Sequence, residues 1–193
     1  LMNNERLTAF EDAILAIIMT ILVLDLSKPN PVSWTGLWAL HASFFAYALS
    51  FFWIGLMWMS HHNIWQAVRT INMTTVLLTL VLLFFASLFP YTTSLVANSF
   101  DNATAQALYG IIIIAISLLN VGLSLNLGRL NPRAKFGLLY KTPTWVVLLD
   151  LGIKLIGLIL AITIYPQAMI YSIFIAGLVL SISMTTNRQV KLN

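Results

Sequence analysis

The chain has 193 residues, of which 60% are hydrophobic and only 8% are charged, and its mean hydropathy is +0.90. A soluble domain carries about 25% charged residues, so these values exclude an ordinary soluble domain and indicate an integral membrane protein. Ten Lys and Arg against six Asp and Glu give a net charge of +4, but the basic residues are scattered between apolar segments, so we expect no nucleic-acid partner. Cysteine is absent, which excludes disulfides, cysteine nucleophiles and thiolate metal sites.

Six segments are apolar over the roughly 20 residues that a helix needs to cross the hydrocarbon core of a bilayer. Turn signals containing Pro or Asn separate most of them. The segments leave no room for a separate soluble domain, so we expect residues 1–193 to form one all-α domain with six transmembrane helices. In chain order, the predicted spans are Leu7–Leu26, Trp38–Met59, Thr74–Val96, Ala105–Leu127, Thr144–Ile164 and Gln167–Thr186.

The distribution of basic residues predicts the orientation of these spans. An even number of spans puts both termini on one side of the membrane, together with the second and fourth loops. Cytoplasmic loops carry an excess of Lys and Arg, so we expect a multi-pass protein of the cell membrane with both termini in the cytoplasm. The same residues would contact anionic lipid headgroups. Eight of the ten basic residues fall on that side: Arg6, Arg69, Arg129, Arg133, Lys135, Lys141, Arg188 and Lys191.

The first span is unusual because carboxylates lie at both of its ends, Glu11 and Asp12 near the start and Asp25 at the end. Charges at membrane depth are costly unless they face protein or water, so we expect this helix inside the bundle or along a water-filled path. Its bulky apolar residues and one hydroxyl recur at steps of three and four and share one face. They are Ala13, Ile17, Thr20, Ile21 and Leu24. From spacing alone, this face either packs against a neighbouring helix, the commoner case, or lines a hydrophobic constriction.

The start of the first span resembles the signature of the transmembrane protein 175 family of potassium channels. Arg6, Phe10 and Asp12 match the family pattern Arg-x-x-x-Phe-Ser-Asp, with Glu11 in place of the serine. Three side chains at the end of the second span and just after it also agree with the family: Trp58, His61 and His62. The resemblance is specific as far as the end of the third apolar run, and the later spans match only in number and hydropathy. A single six-span unit is similar to the prokaryotic members.

This resemblance implies a homotetrameric channel for potassium and other monovalent cations, with a pore lined by the first helix of each subunit. It places the tight hydrophobic constriction at Ile17, further apolar layers at Ile21 and Leu24, and the hydroxyl layer associated with potassium preference at Thr20. Asp25 at the outer mouth would form a cation-attracting ring in a tetramer, or it would cap the following loop. The permeant ion is potassium, and we expect neither a cofactor nor an enzymatic activity.

In the family, the residues of the signature do not touch the ion. Arg6 and Asp12 are implied to hold the first helix against its neighbours, in a buried polar network with Trp58 and one of the two histidines. Glu11 changes that network, because an ionised carboxylate accepts hydrogen bonds and cannot donate one.

Two further groups of titratable side chains each allow more than one functional interpretation. Asp150 and Lys154 have the i,i+4 spacing of a helical ion pair, which is either structural or part of a proton relay. With the histidines, such a relay would serve a proton-coupled secondary transporter, the alternative to a channel. The adjacent His61 and His62 point to different faces of a helix, so we expect no metal site.

Overall fold

The computed structural model describes residues 4–134, 136–137, 139 and 142–189, with side chains up to residue 183. Within these residues the fold is a bundle of eight α-helices. Their bounds are α1 (Asn4–Leu22), α2 (Trp34–Ala39), α3 (His41–Ala67), α4 (Met73–Ser87), α5 (Phe89–Asn98), α6 (Ala103–Leu130), α7 (Thr144–Thr163) and α8 (Ala168–Gln189). Short 3-10 turns follow α1 and α6, at Val23–Asp25 and Pro132–Ala134.

Five helical segments are long and apolar enough to cross a bilayer, and they correspond to the first five predicted spans. They are Asn4–Asp25, His41–Ala67, Met73–Asn98, Ala103–Leu130 and Thr144–Thr163. The sixth predicted span falls on α8, whose described apolar part, Ala168–Ser183, belongs to a shorter class of 10–17 residues. The all-helical, multi-pass architecture is therefore confirmed with five spans.

The second predicted span is wrong in its bounds. Trp38 lies in the short helix α2, and α3 begins only at His41 and continues to Ala67, well past the predicted end at Met59. The polar residues after Met59 do not end the helix, because His61 is buried there and finds hydrogen-bond partners on two other helices.

The third predicted span is one apolar segment made of two helices. α4 ends and α5 begins at Leu88, and Pro90 occupies the first turn of α5. Proline is tolerated at that position because the first backbone N–H groups of a helix have no partner within the helix. The break seats Phe89 in the core, where its ring stacks on Trp53 and on Tyr109.

The helix α6 is central in the bundle. It packs against α4 and α5 on one side and against α7 and α8 on the other, while α1 packs against α3, α4 and α5. The fully buried Tyr109 of α6 shares a hydrogen bond of 2.8 Å with the Ser50 hydroxyl of α3. A buried tyrosine usually needs such a partner for its hydroxyl, so this contact joins two helices inside the apolar core.

Hydrogen bonds between helix ends show which loops share an end of the bundle. Asn4 at the start of α1 donates to the Val68 carbonyl after α3, at 3.1 Å. The side chain of Asn131 after α6 accepts from the backbone N–H groups of Arg69 and Thr70, each at 3.0 Å. The start of α1, the end of α3 and the end of α6 therefore meet at one end of the bundle.

The charges follow this division between the two ends. Four of the eight basic residues assigned to the cytoplasmic side lie in the segments that meet: Arg6, Arg69, Arg129 and Arg133. Lys28 lies at the opposite end, where its neighbour Ser27 donates to Asn98 at 3.2 Å. The other four assigned residues lie outside the described side chains: Lys135, Lys141, Arg188 and Lys191.

The helices α7 and α8 approach most closely at Gly157. A Cβ atom there would lie 2.0 Å from the Oγ and 2.4 Å from the Cβ of Ser172, whereas a Cβ at Gly152 on the same helix would meet nothing within 4 Å. Of these two glycines, only Gly157 is required by packing.

We expect Gly157→Ala to lower the free energy of unfolding by about 1–3 kcal/mol, the usual cost of overpacking. Gly152→Ala is the matched control, and it should be neutral or slightly stabilising because alanine has the higher helix propensity. Thermal unfolding of the purified protein in detergent measures both. Equal shifts in the two variants would contradict this account of the α7–α8 contact.

Candidate functional site

The face of α1 that carries the bulky apolar residues is exposed in the subunit. Ile17 is 57% exposed, Ile21 is 40% exposed and Leu24 is 78% exposed, and Thr20 is exposed between them. The opposite face of α1 is buried against α3, α4 and α5. Both faces of the helix are therefore largely apolar, and only one of them is covered by its own chain.

A groove of about 440 Å³ runs along this exposed face. Ile17 and Ile21 of α1 form one wall together with Asp25. The other wall comes from the α4–α5 segment, through Ser87 and Tyr91 among others. A surface that faces only lipid rarely carries a carboxylate or several hydroxyls, so the groove faces water or another protein surface.

The hydroxyl of Thr20 is held in one orientation. Its Oγ1 donates to the Ile17 carbonyl one turn earlier, at 2.8 Å. Because the proton is committed to the helix backbone, only the lone pairs of the hydroxyl oxygen remain available to other groups. Those lone pairs are acceptors and can contact a cation.

The buried face of α1 is anchored by Glu11. This carboxylate is 1% exposed, and both of its oxygens have partners on α3. The indole N–H of Trp65 donates to Oε2 at 2.9 Å, and Nδ1 of His61 donates to Oε1. The other ring nitrogen of His61, Nε2, is hydrogen-bonded to the side-chain amide of Asn120 on α6. A buried carboxylate is tolerated only when it is paired and hydrogen-bonded, and this network meets that requirement.

The neighbouring carboxylate, Asp12, has a more exposed contact. It accepts a hydrogen bond of 2.8 Å from the indole N–H of Trp58. The Trp58 ring stacks on His62 at 5.5 Å between ring centres, and the His62 ring accepts a hydrogen bond from Gln66 at 2.8 Å. The two adjacent histidines thus have separate partners, His61 in the interior and His62 at the surface.

Two residues of the signature stand apart from these contacts. Arg6 and Phe10 are exposed in the subunit, and the hydrogen bonds of the Glu11 network described above include neither of them. The structure therefore divides the implied network into a buried part at Glu11 and a surface part at Asp12. The roles that the family resemblance implies for Arg6, Phe10 and Asp12 remain predictions.

Sequence reasoning missed two members of the buried network, Trp65 and Asn120. A signal existed for each of them. Trp65 lies four residues after His61, on the same face of α3, and Asn120 is a single amide within the long apolar run of α6. Neither signal names its partner, because Trp65 is 54 positions from Glu11 and Asn120 is 59 positions from His61.

The i,i+4 pair on α7 is buried as well. Nζ of Lys154 lies 2.7 Å from Oδ2 of Asp150 and donates to the Ser117 hydroxyl of α6 at 3.0 Å. The same ammonium lies 5.8 Å from the centre of the Trp53 ring on α3. The pair therefore faces the interior of the bundle, between α3, α6 and α7.

Comparison with known proteins supports the family resemblance predicted from the motif at the start of α1. The family model described as endosomal/lysosomal potassium channel TMEM175 matches residues 6–90. A potassium channel of Chryseobacterium sp. is 40% identical over 110 residues, which are 57% of this chain and 57% of that protein. A potassium channel of Streptomyces collinus is 34% identical over 124 residues, 60% of this chain and 60% of that protein. The match spans less than two thirds of the length of either relative.

The fold has a solved counterpart as well. The crystal structure of a lysosomal potassium-selective channel TMEM175 homolog from Chamaesiphon minutus matches with a TM-score of 0.63 at 24% identity. The match covers 90% of this chain and 96% of that chain. The predicted resemblance is therefore confirmed: residues 6–90 match the TMEM175 family model, and the fold of the chain is similar to that of a solved TMEM175 homolog.

Proposed function

We propose that the chain is a subunit of a potassium-permeable cation channel of the cell membrane, with α1 lining the pore. The observation that carries this proposal is the uncovered face of α1, where Ile17 and Ile21 border a groove that also holds Asp25 and where Leu24 is exposed as well. This combination suits a water-filled path better than a lipid surface. The names of the relatives and the matching fold support the same function.

The order of residues along α1 suggests how a cation would pass. A hydrated cation is attracted by Asp25 at the outer mouth, because a ring of carboxylates raises the local cation concentration. It then passes Leu24 and Ile21, reaches the Thr20 hydroxyls and crosses the ring at Ile17. Hydrophobic rings close a pore by dewetting it, so widening the ring at Ile17 would open the channel.

Further parts of the proposal concern assembly and orientation. Four copies of α1 around one axis would cover the exposed face and close the path, so we infer a homotetramer. The arginines at the end where α1 begins favour a cytoplasmic location of the termini. In this arrangement α8 serves as a sixth span.

The anchor at Glu11, on the face of α1 opposite the proposed pore, would control the orientation of the pore-lining side chains. Its bonds to His61 and Trp65 hold α1 against α3, so the rotation of α1 about its own axis depends on them. Rotation is what decides whether Ile17 or another residue faces the path.

Ile17→Asn is the first test of the pore assignment. A polar amide lowers the dewetting barrier, so we expect a several-fold higher conductance and weaker discrimination between potassium and sodium. Currents in planar bilayers and reversal potentials under potassium/sodium bi-ionic conditions measure the two effects. Ile159→Asn is the matched control, because Ile159 is also exposed but lies on α7. Unchanged currents in Ile17→Asn would contradict pore lining by α1.

Thr20→Val removes one hydroxyl from the proposed path while keeping the volume of the side chain. We expect a lower potassium preference, seen as a reversal potential closer to zero under bi-ionic conditions, with folding unchanged. Thr163→Val is the control, since the exposed Thr163 on α7 also donates its hydroxyl to its own helix, at 2.8 Å. The same change in both variants would show that Thr20 has no special position.

Substitution of the adjacent carboxylates Glu11 and Asp12 tests whether Glu11 anchors α1 to α3. Glu11→Ala leaves the partners of a buried charge unpaired, and we expect the free energy of unfolding to fall by about 3–5 kcal/mol. Asp12→Ala removes one hydrogen bond near the surface and should cost about 1 kcal/mol. Thermal unfolding in detergent compares the two variants, and an equal loss would argue against Glu11 as the anchor.

Measuring ion flux through the reconstituted protein distinguishes a channel from the proton-coupled transporter. A channel gives a flux that follows the electrochemical gradient of potassium. Flux that saturates and depends on an imposed proton gradient would instead favour the transporter.

A further inference from the structure

The subunit contains a second cavity, away from the groove along α1. Its volume is about 60 Å³, and it lies between α3, α6, α7 and α8, with Leu139 of the α6–α7 connector in its wall. One water molecule needs about 10–15 Å³ of such space, so the cavity has room for a small cluster of waters. Six polar side chains line it: Ser60, His61, Ser117, Asn120, Asp150 and Lys154.

Only one of the two carboxylate oxygens of Asp150 has a hydrogen-bond partner within the described residues. Asp150 is 2% exposed, and its Oδ2 binds Lys154 at 2.7 Å. Its Oδ1 is buried and has no hydrogen-bond partner within the described residues. A buried carboxylate oxygen without a donor is costly, and either a water molecule or a proton removes that cost.

The ammonium of Lys154 does not depend on Asp150 alone. It also donates to Ser117 at 3.0 Å and lies 5.8 Å from the centre of the Trp53 ring. The face of an indole ring stabilises a nearby cation. Lys154 can therefore stay charged in its place while Asp150 is neutral.

The opposite wall of the cavity belongs to the network that anchors α1. His61 and Asn120 line the cavity, and His61 is bound to Glu11. The titratable groups around the cavity are thus Glu11 on α1, His61 on α3, and Asp150 with Lys154 on α7. Described residues of α6 and α8 contribute to its wall only uncharged side chains and glycine.

We propose that this cavity is a hydrated proton-binding site inside the subunit, in which Oδ1 of Asp150 takes up a proton from water. The protonated water gives its proton to Oδ1 and remains as neutral water, and Asp150 becomes a carboxylic acid. Lys154 keeps its charge and its contacts to Ser117 and Trp53. Release reverses the same step. The site is separate from the proposed pore and does not depend on the permeant ion.

Infrared difference spectroscopy on the full chain in lipid, perfused alternately with neutral and acidic buffer, tests this site without measuring ion flux. We expect acidification to produce a carboxylic acid C=O band that shifts in D₂O, because the proton exchanges with water. The band should be lost in Asp150→Asn and retained in Asp101→Asn, where the aspartate lies at the exposed end of the bundle and bonds Gln167.

A second variant keeps the test decisive where Asp150→Asn does not yield enough folded protein for spectroscopy. Asp150→Asn combined with Lys154→Met removes both charges, and replacing a buried pair as a whole is commonly well tolerated. This double variant should also lack the band. A band that persists in it, or that disappears only in Glu11→Gln, would overturn the assignment to Asp150, as would the absence of any such band in the unmodified chain.

Discussion

The burial of one carboxylate determines how the first helix sits in the subunit. Glu11 lies on the covered face of α1, and both of its oxygens must be paired because an unpaired charge is not tolerated in the interior. Trp65 and His61 supply those pairs from α3. Any rotation of α1 by a fraction of a turn would break them. The exposed direction of Ile17 and Leu24 is therefore a consequence of where Glu11 finds its donors.

Several buried polar groups elsewhere in the bundle are also paired with groups on neighbouring helices. These residues of the described core lie between helices, where a side chain of another helix meets them. Ser50 and Tyr109 bond each other between α3 and α6, and Asp150 with Lys154 faces α6 rather than lipid. In a bilayer no water competes for these groups, so such contacts join helices whose apolar surfaces would be equally well solvated by lipid.

Two of the exposed apolar regions of the subunit, on α7 and on α1, differ in one respect that bears on function. The outer face of α7, with Leu155 and Ile159, has the character of a lipid contact. The outer face of α1 is just as apolar, but it adjoins a groove with a carboxylate and several hydroxyls. The Thr20 hydroxyl adds an acceptor on that face. A pore formed from side chains of a single helix would need this mixture, since it has apolar rings that can dewet and oxygens that can contact a cation.

The sequence alone determined the membrane class, the all-helical fold, five of the spans and the family resemblance at the start of α1. These properties follow from composition and from local periodicity, which any short window of the chain displays. Only the tertiary structure decided that α3 continues past His61 and that the third span is divided into α4 and α5. It also decided that Glu11 meets Trp65 and that Asn120 and Asp150 line one cavity. Those contacts join residues far apart in the chain, and no local pattern specifies a partner when every helix presents a similar apolar surface.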